Sequence, residues 1–254
     1  MNSTPPPTGR TIRAFANARS GKLAAGFSLV EIAIVIVVIG LVAALSMGAF
    51  SGALGGREIK TASALAQGID GAILAYARSK NRLPCPDANG DGWEDGAPGP
   101  CPAGLEIGYV PYESIGVQSP ATAERAIYAV YRNAGIAADL VAPATATRVD
   151  FLRAMARGAT AAVTTSHVYV TGENGATGAE NCAGNQVFHP AFAVIVPGSD
   201  RDGDGSKLDG IDAVLPGTGK CLASPDRAPD TVFDDRVVST GFTTLLGLIS
   251  TDAP

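Results

Sequence analysis

Residues 27–50 hold a single charge, Glu31, in 24 positions. At 1.5 Å per residue a helix over this run is about 36 Å long, and it is expected to cross a bilayer. The 26 residues ahead of it contain Arg10, Arg13, Arg19 and Lys22 and no acid. That asymmetry puts the N-terminus in the cytoplasm and everything beyond about residue 57 outside the inner membrane. Gly48, Gly52, Gly55 and Gly56 then mark a stretch of low helix propensity. Two readings stand there: close helix packing through small residues, or a helix that loosens when copies pack together.

From residue 57 to about residue 80 the period is helical again. Ile59, Ala62, Leu65, Ile69, Ile73 and Tyr76 recur at spacings of three or four and form one apolar stripe. Pro84 is expected to stop this helix. Beyond it, short apolar runs at 107–110, 126–131, 168–170, 191–196 and 237–238 alternate with Gly, Pro and Asp and read as strands of an antiparallel sheet. Residues 150–157 read as a helix that Thr147 or Asp150 would cap. The expected fold is therefore α+β. A long N-terminal helix, transmembrane over 27–56 and periplasmic over 57–82, packs on a β-rich head over 83–254, with 1–26 as a separate leader. The head is large enough to bury a core without help from metal.

Composition narrows the function. Of 254 residues only 17% are charged, and 19 Lys and Arg stand against 24 Asp and Glu, a net charge of −5. A general nucleic-acid binder is not expected from that balance. Two His and four Cys leave little for a zinc enzyme. No Gly-x-Ser-x-Gly or His-Glu-x-x-His occurs. His167 and His189 read as surface or edge residues, and Ser166 beside His167 faces the other way on a strand. No enzymatic activity is expected.

Glu31 is the anomaly, because a lone carboxylate in a membrane segment costs roughly 2.5–3.5 kcal/mol on insertion scales. Neither a secretory signal nor a plain anchor explains it. Its setting is Gly26-Phe27-Ser28-Leu29-Val30-Glu31, which resembles the processing site of type IV prepilins and type II secretion pseudopilins. The resemblance implies that a prepilin peptidase cuts after Gly26. It implies that the new N-terminal Phe27 is methylated, and that Glu31 pairs with the amino group of a neighbouring subunit during assembly. The charges agree with this, since cleavage creates a cation beside an apolar segment and Glu31 supplies the opposite sign. Cleavage would remove 26 residues and four cations and leave 228 residues with 15 cations and 24 anions. A looser resemblance, to a subset of large pseudopilin-like proteins, rests on Leu83-Pro84-Cys85-Pro86, on Cys101, on Gly108-Tyr109-Val110-Pro111 and on residues 233–238. It implies a pilin-like head and no catalysis.

Cys85, Cys101, Cys182 and Cys221 all follow the span, where an even count reads as disulfides. Three pairings exist, and Cys85–Cys101 with Cys182–Cys221 closes the shortest loops. Two acidic glycine loops fit D-x-[DN]-x-[DN]-G. The first carries Asp87, Asn89, Asp91 and Asp95, the second Asp200, Asp202, Asp204 and Asp209. Oxygen ligands at that spacing suit Ca²⁺, although Pro98 and Ile211 hold the position where an EF-hand needs Glu. Asp and Gly also favour plain solvated turns. The crowding of three carboxylates, and a structural calcium in a late loop of the resembled major pseudopilins, favour the second loop. Trp93, Tyr109 and Tyr112 read as local packing or as a recognition patch.

The expected role is a pseudopilin-like subunit of a helical filament, anchored in the inner membrane and belonging to a type II-like secretion system. Its partners would be homologous subunits, the prepilin peptidase and an inner-membrane assembly platform. The alternatives are a type IV pilus subunit and a monomeric anchored binding module or adhesin.

Overall fold

The computed structural model describes residues 28–132, 139–141, 147–172, 178–201, 203–217 and 219–250, with backbone alone over 45–57. Its first element, α1 (Leu29–Lys80), is a helix of 52 residues. The chain forms two compact units, Met1–Ser51 and Gly52–Pro254, and the boundary between them falls inside α1.

The transmembrane expectation is corrected. Among the described residues no helix is long and apolar enough to cross a membrane. A transmembrane helix over 27–56 and a single-pass inner-membrane placement with a periplasmic head are therefore not supported. What the fold retains is its class, α+β with antiparallel sheet pairing.

In the second unit, α1 presents the expected stripe to the core. Ala66, Ile69, Ile73, Tyr76 and Ala77 are buried. Leu65 stands 37% exposed, because the 3.6-residue period carries the centre of the stripe to Ala66 and Ala77. The helix ends before Pro84 does any work. Asn81 takes a positive φ of 53°, a left-handed closure that Asn tolerates.

The main sheet has the order β1 (Ile107–Tyr109), β2 (Ile127–Val130), β5 (Phe192–Val196), β7 (Arg236–Thr240), with every neighbouring pair antiparallel. Every side chain of β2 and β5 is buried, so both faces of these central strands are covered, which explains their unbroken apolar sequences. A second sheet places β3 (Tyr169–Thr171) between β4 (Gln186–Phe188) and β6 (Cys221–Leu222). There β3 and β6 run parallel, a departure from the purely antiparallel expectation. The Cys182–Cys221 disulfide joins the approach to β4 with β6, so it spans the edges of this small sheet.

Further helices in the unit include α2 (Tyr112–Ile115), α3 (Arg148–Ala159) and α4 (Phe242–Ser250). Thr147 caps α3 and Asp150 closes the capping box, so both candidate residues take part. Phe151, Ala154 and Met155 of α3 are buried, as are Phe242, Leu245 and Ile249 of α4. The head is thus less purely β than its sequence suggested. Cys85 pairs with Cys101 and Cys182 with Cys221, the arrangement that closes the shortest loops.

Candidate functional site

Gly26, Phe27 and Asp202 lie outside the described residues. Glu31 lies in the first turn of α1 and is exposed. Its backbone N–H bonds to the Ser28 carbonyl at 3.0 Å, and the Ser28 hydroxyl accepts from the Val30 N–H at 3.3 Å. The residues around it are exposed and apolar. Eleven large side chains from Leu29 to Val42 are between 46% and 86% exposed. Six of them are consecutive, Ile34 to Ile39, and at about 100° per residue they cover the whole circumference of the helix.

The two acidic loops fold into the same turn. In the first, the Asp87 carboxylate accepts from Gly90 N–H at 2.6 Å and Gly92 N–H at 2.7 Å, and Asp91 accepts from Trp93 N–H at 2.8 Å. In the second, Asp200 accepts from Gly203 N–H at 2.8 Å and Gly205 N–H at 3.1 Å, and Asp204 accepts from Ser206 N–H at 2.7 Å. Gly90, Gly92, Gly203 and Gly205 have φ between 75° and 92°, which is why glycine recurs at those two positions of each loop. Asn89 accepts from Asp91 N–H, and Asp95 accepts from Ala88 N–H.

Glu94 leaves the first loop and turns toward α1. Its carboxylate takes both terminal nitrogens of Arg82, at 2.7 and 2.6 Å, the Tyr76 hydroxyl at 2.7 Å and the Cys85 N–H at 3.1 Å. Desolvation works to raise its pKa, but these donors together outweigh burial and hold the carboxyl below its ordinary value.

Asp209 separates from the rest of its loop. It is fully buried and meets Asp234 and Asp235 from the segment leading into β7. One carboxylate oxygen of each of the three lies within 4.8 Å of the others. Among the described residues, Asp200 and Asp204 do not belong to this group. Reciprocal bonds to backbone hold it together. Asp209 accepts from Arg201 N–H at 3.2 Å and Asp234 N–H at 3.2 Å. Asp235 accepts from Gly198 N–H at 3.1 Å and Asp209 N–H at 2.7 Å. Asp234 takes the Ser199 N–H and hydroxyl and the Arg201 guanidinium, the last at 2.6 Å.

Asp212 lies on the short 3₁₀ turn Gly210–Val214 and is fully buried. Its Oδ1 accepts from Ala223 N–H at 3.1 Å, while its Oδ2 is buried with no donor. Burial pushes its pKa up to about 7. Burial and then the Asp212 charge push Asp235 up to about 8. Carboxylates so placed need neutralising by a proton or a cation. Asp234 and Asp235 fall within residues 233–238, which sequence alone ties only to the looser family resemblance. Their signal was two adjacent acids directly ahead of an apolar strand.

The surface-or-edge expectation for His189 is corrected. His189 is 6% exposed, because its Nδ1 meets the Val168 carbonyl at 2.6 Å and its Nε2 accepts from Thr164 N–H at 3.1 Å. Tyr131 packs against both histidine rings, and His167 pairs with the buried Glu106 at 2.8 Å. Lys220 binds the other Glu106 oxygen at 3.0 Å. The aromatic trio is not gathered, since Tyr112 is core and Trp93 is 58% exposed. The chain matches no family model, no curated protein and no solved structure.

Proposed function

We propose that the chain is a structural, pseudopilin-like subunit of a helical filament of a type II-like secretion system, built by packing α1 of one copy against α1 of others. The observation that carries this reading is the exposed apolar cylinder from Leu29 to Val42. Burying a large aliphatic side chain stabilises by roughly 1.5–3 kcal/mol. Eleven of them represent a gross gain on the order of 20 kcal/mol, well above a typical association cost. A surface apolar on all sides needs several neighbours, which a helical array of copies supplies and a single dimer does not. Glu31, within that surface, gives the packing a charge to align. Processing after Gly26 by a prepilin peptidase would place a new amine at Phe27, close to it in sequence.

The test uses the full chain expressed with a prepilin peptidase. Mass analysis should find a chain beginning at Phe27, and sedimentation with electron microscopy should find filaments. Glu31→Ala should lower the yield of filament at least several-fold while the head keeps its melting temperature. A processed chain that stays monomeric, or a Glu31→Ala variant that assembles normally, overturns the reading. Filaments abundant in a fraction sheared from cells would point to a surface pilus instead of a secretion pseudopilus.

A further inference from the structure

We propose that an acid-rimmed groove beside α1 receives the outer face of α3 from a second copy of the chain. The proposal rests on the filament reading and deepens it, by naming a contact between heads that joins copies in one direction.

The groove holds about 470 Å³, and Ile59, Leu65 and Pro197 give it an apolar floor. Leu65 is 37% exposed although Ala66 and Ile69 beside it are fully buried. The charged groups lining it are Glu58, Glu124, Asp200 and Asp234 against Lys207. Arg201 holds Asp234 at 2.6 Å, and Lys207 meets Glu124 at 3.3 Å in a surface pair, a kind of contact that contributes little. Glu58 and Asp200 are exposed and bond to no cationic side chain among the described residues. The groove therefore keeps a net negative rim around apolar surface.

The outer face of α3 has the opposite make-up. The inner face is taken up by the core, with Phe151, Ala154, Met155 and Gly158 buried. Val149, Arg153, Ala156 and Arg157 are exposed, and at about 100° per residue they share about a third of the helix circumference. The Arg153 side chain is 67% exposed, and its ion-pair contact with Asp150 is long, at 3.8 Å. Arg157 bonds to no carboxylate among the described residues. Arginine lays an apolar stem along apolar surface and carries its charge at the edge. In the groove the two stems and Val149 would cover Ile59, Leu65 and Pro197, and the guanidinium groups would reach Glu58, Glu124 and Asp200. Guanidinium pairs with carboxylate in bidentate geometry, which fixes orientation as well as attraction.

Groove and ridge are different patches of one chain, so the contact is heterologous. Repeated contacts of that kind run on as an open helical array. Complementary charge at such a rim sets register more than affinity, and the apolar surface of α1 supplies the main driving force.

The test takes the full chain expressed with a prepilin peptidase, as light and heavy isotopic copies mixed before assembly. An Arg153→Lys, Arg157→Lys chain keeps both charges and puts amines on α3. A zero-length carbodiimide should then join position 153 or 157 of one copy to Glu58, Glu124 or Asp200 of another, read by mass spectrometry as light–heavy peptide pairs. Glu58→Lys with Glu124→Lys should lower filament yield several-fold, and so should Arg153→Glu with Arg157→Glu. Both reversals in one chain should recover most of the yield. All four side chains are exposed, so each variant should keep the melting temperature of the parent within a few degrees. Filaments that form without these light–heavy pairs, or that ignore both reversals, overturn the contact and leave the filament reading standing. So do losses that the combined reversal does not repair, or pairs that join α3 to other carboxylates. Light–heavy pairs at the groove without filaments keep the contact and overturn the filament reading. Neither pairs nor filaments overturns both.

Discussion

Replacing Glu94 with Gln tests whether the joint between α1 and the first acidic loop is electrostatic. The carboxylate receives four donors, two from Arg82 and one each from Tyr76 and Cys85. The two charged side chains are only 13% and 10% exposed, so this is a partly buried bidentate pair and not a surface contact. Gln keeps one acceptor oxygen and turns an NH₂ toward the guanidinium. Arg82 then stays half-enclosed over the Tyr76 ring, 5.3 Å away, with its best partner lost. Removing one member of a buried pair costs about 3–5 kcal/mol, and an exposed pair less than about 1. Residual solvent access places this one near 3 kcal/mol. Urea unfolding of the oxidised chain at pH 7 should show a midpoint lowered by that amount with an unchanged slope.

The same experiment has a pH signature. The folded-state pKa of Glu94 lies below its ordinary value of 4.5. Its contribution is therefore complete above that value and is lost as pH falls through the folded pKa. The difference between parent and Glu94→Gln should shrink steadily below about pH 4. A difference under about 1 kcal/mol at neutral pH, or one that does not change on acidification, would refute the account and reduce the contact to packing.

Three other outcomes follow from the packing. Ile73 is fully buried in the α1 stripe, so Ile73→Ala should cost about 2–5 kcal/mol in urea unfolding. The disulfides close separations of 16 and 39 residues. Double Ser variants should cost about 3 kcal/mol for Cys85 with Cys101 and about 4 for Cys182 with Cys221 in the chain-entropy account, read as urea midpoints. Gly158 faces Phe242, and a Cβ there would run into the ring. Gly158→Ala should lower the melting temperature through an overpacked contact between α3 and α4 worth about 1–3 kcal/mol.

The elements set by local pattern were readable in advance. The stripe through Ile69 and Ile73 follows from a 3.6-residue period, the five apolar runs from β-forming sequence, and the start of α3 from Thr147 and Asp150. What escaped was set by tertiary contact. The Gln186–Phe188 strand has the burial pattern of a half-covered edge and sits in a polar stretch, so sequence shows a loop there. The parallel partner of β3 is two residues long, too short for any periodicity. Helix α4 did carry a signal, Phe242, Leu245 and Ile249 at spacings of three and four, although over only nine residues. The apolar run over 27–50 is the reverse case. Hydropathy treats it as one span, whereas among the described residues no helix is long and apolar enough to cross a membrane.

The acidic groups illustrate the same division more sharply. Asp200, Asp202, Asp204 and Asp209 form one motif on paper, because alternation along a loop brings side chains to one point. The fold divides that motif. Asp200 and Asp204 bend back onto their own backbone, where Gly203, Gly205 and Ser206 satisfy them in water. Asp209 is the one that leaves the loop, because Leu208 beside it is buried and draws the chain inward. Once inside, it accepts from backbone N–H groups of Arg201 and Asp234. Asp234 and Asp235 arrive for a parallel reason, fixed by Phe233 and Val237, both buried on either side of them. The cluster is thus assembled by the apolar residues that flank each acid. A pattern search that scores acids by their spacing finds the loop, and one that scores acids by their apolar neighbours finds the buried cluster.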